Sequence, residues 1–375
     1  MPSHDIVVRG SGVVGMAAAL ALSRQGLGVA LVAPPAAAAG NAASDDVRAY
    51  AINRASMELL ASLKVWEALP PDARTAVHDM HVQGDAAGAA LDFSAWSLAL
   101  PELAWIVDAA ALEDTLRDAL RFAPHVQRLA DSGAPPGAAL TVLAEGRDSA
   151  TRAALGAHMQ RHAYGQTAIA ARLVAERDHA GLARQWFRSP DVLALLPLDR
   201  PARGRGYGIV WSLPDARAQE LLALPDEAFA DALMQATASA AGPLALAGRR
   251  ASWALSIGHA EPLFGPGWVL VGDAAHVIHP LAGQGLNLGL ADVASLARVL
   301  AAREPWRALG DERLLARHAR ARAGATRAMG LLTDGLLQLF AHPAPWVKEL
   351  RNRGLGLVNA VGPVKQMLAQ RAIGR

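Results

Sequence analysis

The chain has 375 residues, 52% of them hydrophobic and 19% charged, a balance that specifies a packed core and excludes a disordered chain. At this length two intertwined domains are expected, with room for a large buried cofactor. The formal charge is only +2, so the pI of about 9.3 gives no reason to expect a nucleic-acid partner. The absence of cysteine excludes disulfides, thiolate metal sites, Cys nucleophiles and dithiol flavin chemistry.

Residues 5–9 read as a first strand rather than a leader peptide, because Asp5 and Arg9 flank the short apolar run and a glycine motif follows at once. That motif, Gly10-Ser11-Gly12-Val13-Val14-Gly15, opens an alanine-rich helix to Gln25, and a second strand follows over 29–32. This is a βαβ unit. A helical pattern resumes over 53–66, where Leu59, Leu60 and Leu63 share a face, and 77–93 alternates like a hairpin of a second, antiparallel sheet. Asp108 opens a further helix, and a Ser/Gly/Pro-rich loop over 131–138 precedes an apolar strand at 139–144. Three successive strands are predicted over 162–176, 185–198 and 206–213, a helix over 225–240, extended chain over 252–259 and a buried strand over 268–271. From Leu286 the pattern is helical, with breaks near Pro305, Pro343 and Pro363. No apolar run reaches the roughly twenty residues that span a bilayer. A cytoplasmic protein follows, with or without contact at a membrane surface.

The glycine motif has a physical logic. Its first glycine permits a tight turn after the strand, the second lets backbone approach a pyrophosphate, the third lets helix and strand pack closely, and the helix N-terminus faces the phosphates. One element is missing. An acid for the ribose hydroxyls belongs about twenty residues on, yet the second strand ends Leu31-Val32-Ala33-Pro34. Losing such a charge-assisted bond would weaken adenosine binding by roughly 1.5 to 3 kcal/mol.

The second motif is Trp268-Val-Leu-Val-Gly272-Asp273-Ala-Ala-His276-Val-Ile-His279-Pro280-Leu-Ala-Gly283-Gln284-Gly285-Leu286-Asn287. A buried strand ends in Gly-Asp, and a proline-glycine turn leads into a helix. The carboxylate can accept from sugar-chain hydroxyls, while the turn amides and helix N-terminus favour negative charge on a ring. In this motif the chain resembles the flavoprotein aromatic hydroxylases. It is similar above all to the FAD-dependent hydroxylases of ubiquinone biosynthesis, through Asp46-Val-Arg48-Ala-Tyr-Ala-Ile, Tyr164-Gly-Gln166-Thr-Ala, Leu195-Leu-Pro-Leu, Ile209-Val-Trp-Ser-Leu-Pro214 and 281–292, in order. The end of the chain, from Thr333-Asp-Gly and from Arg351-Asn-Arg, resembles that family's C-terminal helices.

The resemblance implies a Rossmann-like α/β FAD-binding domain (1–75, 100–157 and 258–330) interleaved with an antiparallel β-sheet substrate domain (76–99 and 158–257), then C-terminal helices (331–375). It implies that Gly10, Gly12, Val13, Val14, Gly15, Arg48, Gly272, Asp273, Gly285, Leu286 and Asn287 bind FAD, and that Pro280, Gly283 and Gln284 line the flavin. The implied chemistry is monooxygenation: NAD(P)H reduces FAD, dioxygen adds to give a flavin hydroperoxide, and its distal oxygen passes to an aromatic ring, here a polyprenylated phenol. With one glycine fingerprint in the chain, the reductant is expected to bind transiently. Three departures from the family stand out: Ala33-Pro34 for the ribose acid, a segment before Ala139 too short for the family's strand meander, and Glu145-Gly146 for Asp-Gly, followed by Asp148-Ser149 and Arg152. The first two keep open a non-catalytic or weakly FAD-binding accessory subunit of a quinone-biosynthesis assembly, and a soluble aromatic remains an alternative substrate.

Other candidates are weaker. His276 and His279 stand as HxxH without a third ligand, so structural hydrogen bonding is expected and no metal. Ser11 and Ser44 lack a nucleophile-elbow setting. Lys348, Arg351, Arg353, Lys365, Arg371 and Arg375 form a solvated basic face or a contact for a membrane or a partner complex. Trp96, Trp105 and Trp211 line a ring pocket or belong to the core.

Overall fold

The computed structural model describes residues 4–33, 46–85, 89–131, 137–278 and 284–341. Chain order begins β1 (His4–Arg9), α1 (Val13–Ser23), β2 (Val29–Ala33), β3 (Ala49–Ile52), α2 (Arg54–Ser62), β4 (Arg74–Val77), β5 (Asp79–Gln83) and β6 (Ala90–Ser94). It continues with β7 (Ala104–Asp108), α3 (Ala109–Arg121), β8 (Val126–Ala130), β9 (Ala138–Leu143), α4 (Ala150–Ala154), β10 (His158–Ala175), β11 (Leu182–Arg188) and β12 (Asp191–Pro197). Then come β13 (Gly206–Pro214), α5 (Asp215–Ala223), α6 (Asp226–Ala236) and β14 (Leu244–Glu261). The last elements are β15 (Phe264–Gly265), β16 (Trp268–Leu270), β17 (His276–Val277), α7 (Gln284–Ala301) and α8 (Glu312–Ala341).

The middle of β1, residues 6–8, and β2 are continuous apolar runs buried on both faces, the pattern of a central parallel strand. They sit in a six-stranded sheet of order β15-β16-β9-β1-β2-β8, parallel except at the β15 edge. α1 is apolar all round and buried on nearly every residue, so it is an internal helix rather than an amphipathic one. Met16 and Leu20 pack with Ile6 and Val8 of β1, Leu112 and Leu116 of α3, and Leu290 and Leu296 of α7 in one core. Asp108 caps α3, its side chain accepting from the Ala111 N–H.

The second layer is an eight-stranded sheet of order β17-β14-β10-β13-β12-β11-β5-β6, antiparallel except where β11 meets β5. Strand alternation divides its residues. Ile169, Ile209, Trp211 and Leu195 pack with Phe229 and Leu233 of α6 in one core. Their sequence neighbours face the first domain, in a cross-strand row Ala170, Val210, Ala194, Gln185, Val82, Leu91 set by the register. Between the layers lies a three-stranded sheet, β3-β7-β4. Arg172 of β10 reaches Asp108 at 2.9 Å, both buried, and also donates to the Arg48 carbonyl, tying the sheets together.

The βαβ unit, the 77–93 hairpin and the Asp108 helix stand where the sequence predicts them. Other segments differ. The stretch 185–198 is part of two antiparallel strands, β11 and β12, because Ser189-Pro190 breaks the run. β14 begins eight residues before the expected 252, and α5, β3, β4, β7 and β8 have no counterpart in the reading of the sequence. β17 lies in the segment assigned to the first domain but pairs with β14 of the second sheet. α8 runs through the 330/331 boundary, and 342–375, including the basic residues from Lys348 onward, lies outside the described residues. No helix among the described residues is long and apolar enough to cross a membrane.

Candidate functional site

The carboxyl ends of β1, β2, β8, β9 and β16 share one edge of the parallel sheet, where open α/β sheets bind ligands. The three glycines of the first turn have separate tasks. A Cβ on Gly10, at φ +111°, would lie 2.2 Å from the Ala144 carbonyl oxygen, and one on Gly15 would lie 1.9 Å from that of Gly10. Both positions therefore require glycine for close packing. A Cβ on Gly12 meets nothing within 4 Å, so this backbone borders open space. Gly12 is also the N-cap of α1 and offers no side-chain oxygen. The helix's first N–H groups and the positive end of its dipole are thus presented to an anion.

Beside this turn lies a charged cluster. Arg9 precedes the first glycine and is buried; its guanidinium reaches Asp131 Oδ2 at 2.6 Å and Glu145 Oε1 at 2.8 Å. Thr151 and Ser149 also donate to Glu145. Burial alone would raise the Glu145 pKa, but these hydrogen bonds and Arg9 hold it below the usual carboxylate range.

The second turn is built by packing and by one buried carboxylate. Gly272 has φ +62° and lies against Val14 of α1; a Cβ on Gly289 of α7 would come within 2.7 Å of the same valine. Asp292 on α7 accepts from the Gly272 N–H at 3.0 Å, pairs with His276 Nε2 at 2.6 Å and accepts from Arg322 Nε at 2.6 Å. Burial would raise its pKa, yet His276 and Arg322 lower it to about 2. Desolvation likewise pushes His276 down, but Asp292 wins and raises it. Arg152 of α4 donates to the Ala274 carbonyl, completing the support. Asp273 lines the cavity, where burial by the surrounding protein raises its pKa.

The two turns open into one cavity of about 1140 Å³, above the roughly 300–1,000 Å³ of ordinary small-ligand sites. Gly10, Gly12, Val13, Val14, Arg48, Asp273, Gln284, Gly285, Leu286 and Asn287 line it, while Gly15 and Gly272 act from behind the wall. Pro280 and Gly283 lie outside the described residues, as does His279. Arg48 is 43% exposed, held by a bidentate pair with Asp46 and by Glu113. Asn287 spends its side-chain amide on the chain, accepting from the Asn53 N–H and donating to the Ala51 carbonyl. Arg9, Asp131, Gln185 and Trp253, which reading the sequence did not assign to the site, also line the cavity, as do Tyr50 and Glu145 from the segments compared with the family. Trp211 is in the core behind the second sheet, Trp105 stacks edge-on against Trp66, and Trp96 is exposed. His276 serves Asp292, and among the described residues no group of three His, Asp or Glu could hold a metal.

An open path joining an anion-presenting helix N-terminus to a carboxylate turn fits a long nucleotide such as FAD. Comparison with known proteins agrees. The FAD-binding-domain family model matches residues 3–129 and 137–330. The ubiquinone hydroxylase UbiL of Rhodospirillum rubrum is 31% identical over 99% of this chain and 89% of its own. The 3-demethoxyubiquinol 3-hydroxylase of Escherichia coli is 31% identical over 99% of this chain and 98% of its own. Among solved structures, p-nitrophenol 4-monooxygenase PnpA of Pseudomonas putida superposes with TM-score 0.77 at 15% identity, covering 99% of this chain and 98% of that one. PqsL of Pseudomonas aeruginosa, a probable FAD-dependent monooxygenase, gives 0.75 at 20%, covering 94% and 99%. HpxO of Klebsiella pneumoniae, complexed with FAD and uric acid, gives 0.70 at 17%, covering 98% of each chain. The fold is that of the FAD-dependent aromatic hydroxylases, and the chain belongs to the FAD-binding-domain family of flavoprotein monooxygenases.

Proposed function

We propose that the protein hydroxylates a ring carbon of a polyprenylated phenol in ubiquinone biosynthesis, with FAD as resident cofactor and NAD(P)H as transient reductant. The observation that carries this reading is the single cavity running from the Gly10–Gly15 turn, past Asp273, to the small-residue floor of the second sheet. That floor, Ala170, Val210 and Ala194, is apolar and low, leaving room for a ring and the start of an aliphatic chain. The two ubiquinone-pathway hydroxylases, similar over nearly the whole chain, support this substrate class.

FAD, once reduced, supplies the activation of dioxygen; the chain's own residues bind, orient and exclude water. The N–H groups at the start of α1 would hold the pyrophosphate, and Asp273 would accept from the ribityl hydroxyls. Arg48 and the N-terminus of α7 would offset negative charge on the ring system. Tyr50, whose pKa burial raises to about 12, stays protonated and can donate from the cavity wall. Gln185 sits in the middle of the otherwise apolar floor, where its amide can orient a ring oxygen. With its walls formed by both sheets, the cavity would be filled by a bound flavin and ring, which would displace water from the reacting centre.

The test is direct. The purified protein should be yellow, and a prenylated phenol should accelerate NAD(P)H oxidation with a hydroxylated product, more than a plain phenol does. Equal stimulation by plain phenols would shift the substrate to a soluble aromatic. The lack of an acid at Ala33 favours a second reading, an accessory subunit without turnover; bound flavin with no phenol-dependent oxidation would establish it.

A further inference from the structure

We infer that Asp131, at the end of β8, supplies the carboxylate for the adenosine ribose of FAD that the end of β2 lacks; this rests on the FAD reading above. β2 closes on Val32 and Ala33 with no acid. Its neighbour β8 pairs Ala33 with Ala130, and the Asp131 N–H donates to the Ala33 carbonyl at 3.0 Å. Asp131 therefore stands one strand spacing, about 4.8 Å, from the backbone that would have carried the acid. Asp131, Val32, Arg9, Gly10 and Gly12 all line the same cavity, on the pyrophosphate side.

Arg9 explains how the carboxylate is held. β1 and β8 are the two neighbours of β2, so the 2.6 Å Arg9–Asp131 pair arches over the carboxyl end of β2. An arginine in a buried strand end needs partners, and Arg9 finds them in Asp131, Glu145 and Thr151. An ionised carboxylate has about four acceptor sites on two oxygens, and the bond from Arg9 fixes Asp131 through Oδ2. Ribose hydroxyls are donors of the matching kind. In this chain the carboxylate stands on β8 rather than β2, with Arg9 beside it.

The test titrates the full chain, stripped of flavin, with FAD and with the FAD analogue carrying 2′-deoxyribose on its adenosine side, by quenching of flavin fluorescence. Thermal unfolding of the flavin-free protein is followed in parallel. Asp131→Asn should weaken FAD about 10- to 100-fold and weaken the deoxy analogue much less, with the flavin-free protein still folded. Adding Ala33→Glu to that variant should restore much of the loss. Asp131→Asn binding FAD like the wild type, or losing FAD and the deoxy analogue equally without rescue by Ala33→Glu, overturns the assignment. A wild-type chain that binds no FAD at all overturns the cofactor reading, and this inference falls with it.

Discussion

Three glycines of one motif should respond differently to the same added methyl. Gly12→Ala has φ −75° and an empty neighbourhood, so the flavin-free protein should unfold at nearly the wild-type temperature while FAD affinity drops, because the new Cβ would occupy the space proposed for the pyrophosphate. Gly10→Ala and Gly15→Ala drive a carbon into a carbonyl oxygen; each should destabilise the fold by about 3 kcal/mol or more, flavin present or not. Denaturant melts of the three flavin-free variants check this, and a Gly12→Ala melt as damaged as the other two would refute the division of labour. On the substrate side, Gln185→Leu removes the polar group of the cavity floor without adding bulk. Loss of one hydrogen bond predicts KM raised about 3- to 10-fold, with FAD affinity unchanged.

At the scale of elements, the second turn depends on α7 and α8, through Asp292, more than on its own residues. Asp292→Asn leaves Arg322 and His276 without their shared anion and should destabilise by about 3–5 kcal/mol, loosening Asp273 and FAD together. The pH dependence has a definite sign. The carboxyl of Asp292 is lowered to about 2, so its contribution is complete above the unfolded value of about 3.9 and is lost as pH falls through about 2. The pKa of His276 is raised, so its contribution is complete below about 6.5 and is lost as pH climbs through its folded value. The stability gap between wild type and Asp292→Asn should therefore be widest between about pH 4 and 6.5 and narrow on both sides. Urea unfolding from pH 2 to 9 measures it; a flat gap would rule out the charged pair.

For the whole molecule, the cavity belongs to neither sheet alone. One wall is the edge of the parallel sheet and the other the face of the antiparallel sheet; the buried Arg172–Asp108 pair ties the antiparallel sheet to the three-stranded sheet and to the cap of α3, which packs in the core of the first layer. A ligand filling that space couples the two layers. Saturating FAD, at about 100 times its Kd, should add roughly 2.7 kcal/mol to stability and merge any separate melting of the layers into one transition. Arg172→Leu should cost about 3–5 kcal/mol and separate those transitions in the flavin-free protein. Calorimetry with and without FAD decides this, and one unchanged transition in the variant would show that the pair is not the hinge of cooperativity.

The parts of this protein legible in its sequence were those whose physics is local. The βαβ unit and its glycine turn span neighbouring residues, Asp108 caps its own helix, and the Gly272-Asp273 turn follows its own strand. What failed was also local in cause: Ser189-Pro190 sits inside one apolar run and splits it, and the four-residue strands β3 and β4 carry too few residues to set a period. The packing partners were beyond reach. Asp131 meets Ala33 only because β8 is laid beside β2, Asp292 meets Gly272 and Arg322 through the packing of two helices, and Gln185 faces the cavity because register places it in a row of apolar residues. Sequence by itself determined the elements with a strong local signature, since hydrogen bonding along the chain and the steric freedom of glycine are properties of neighbours, and its resemblance to a known family implied the class of cofactor. Only the tertiary structure decided which carboxylates stand around the cavity, since a charge acts through space and the strands and helices that carry these charges are brought together by packing.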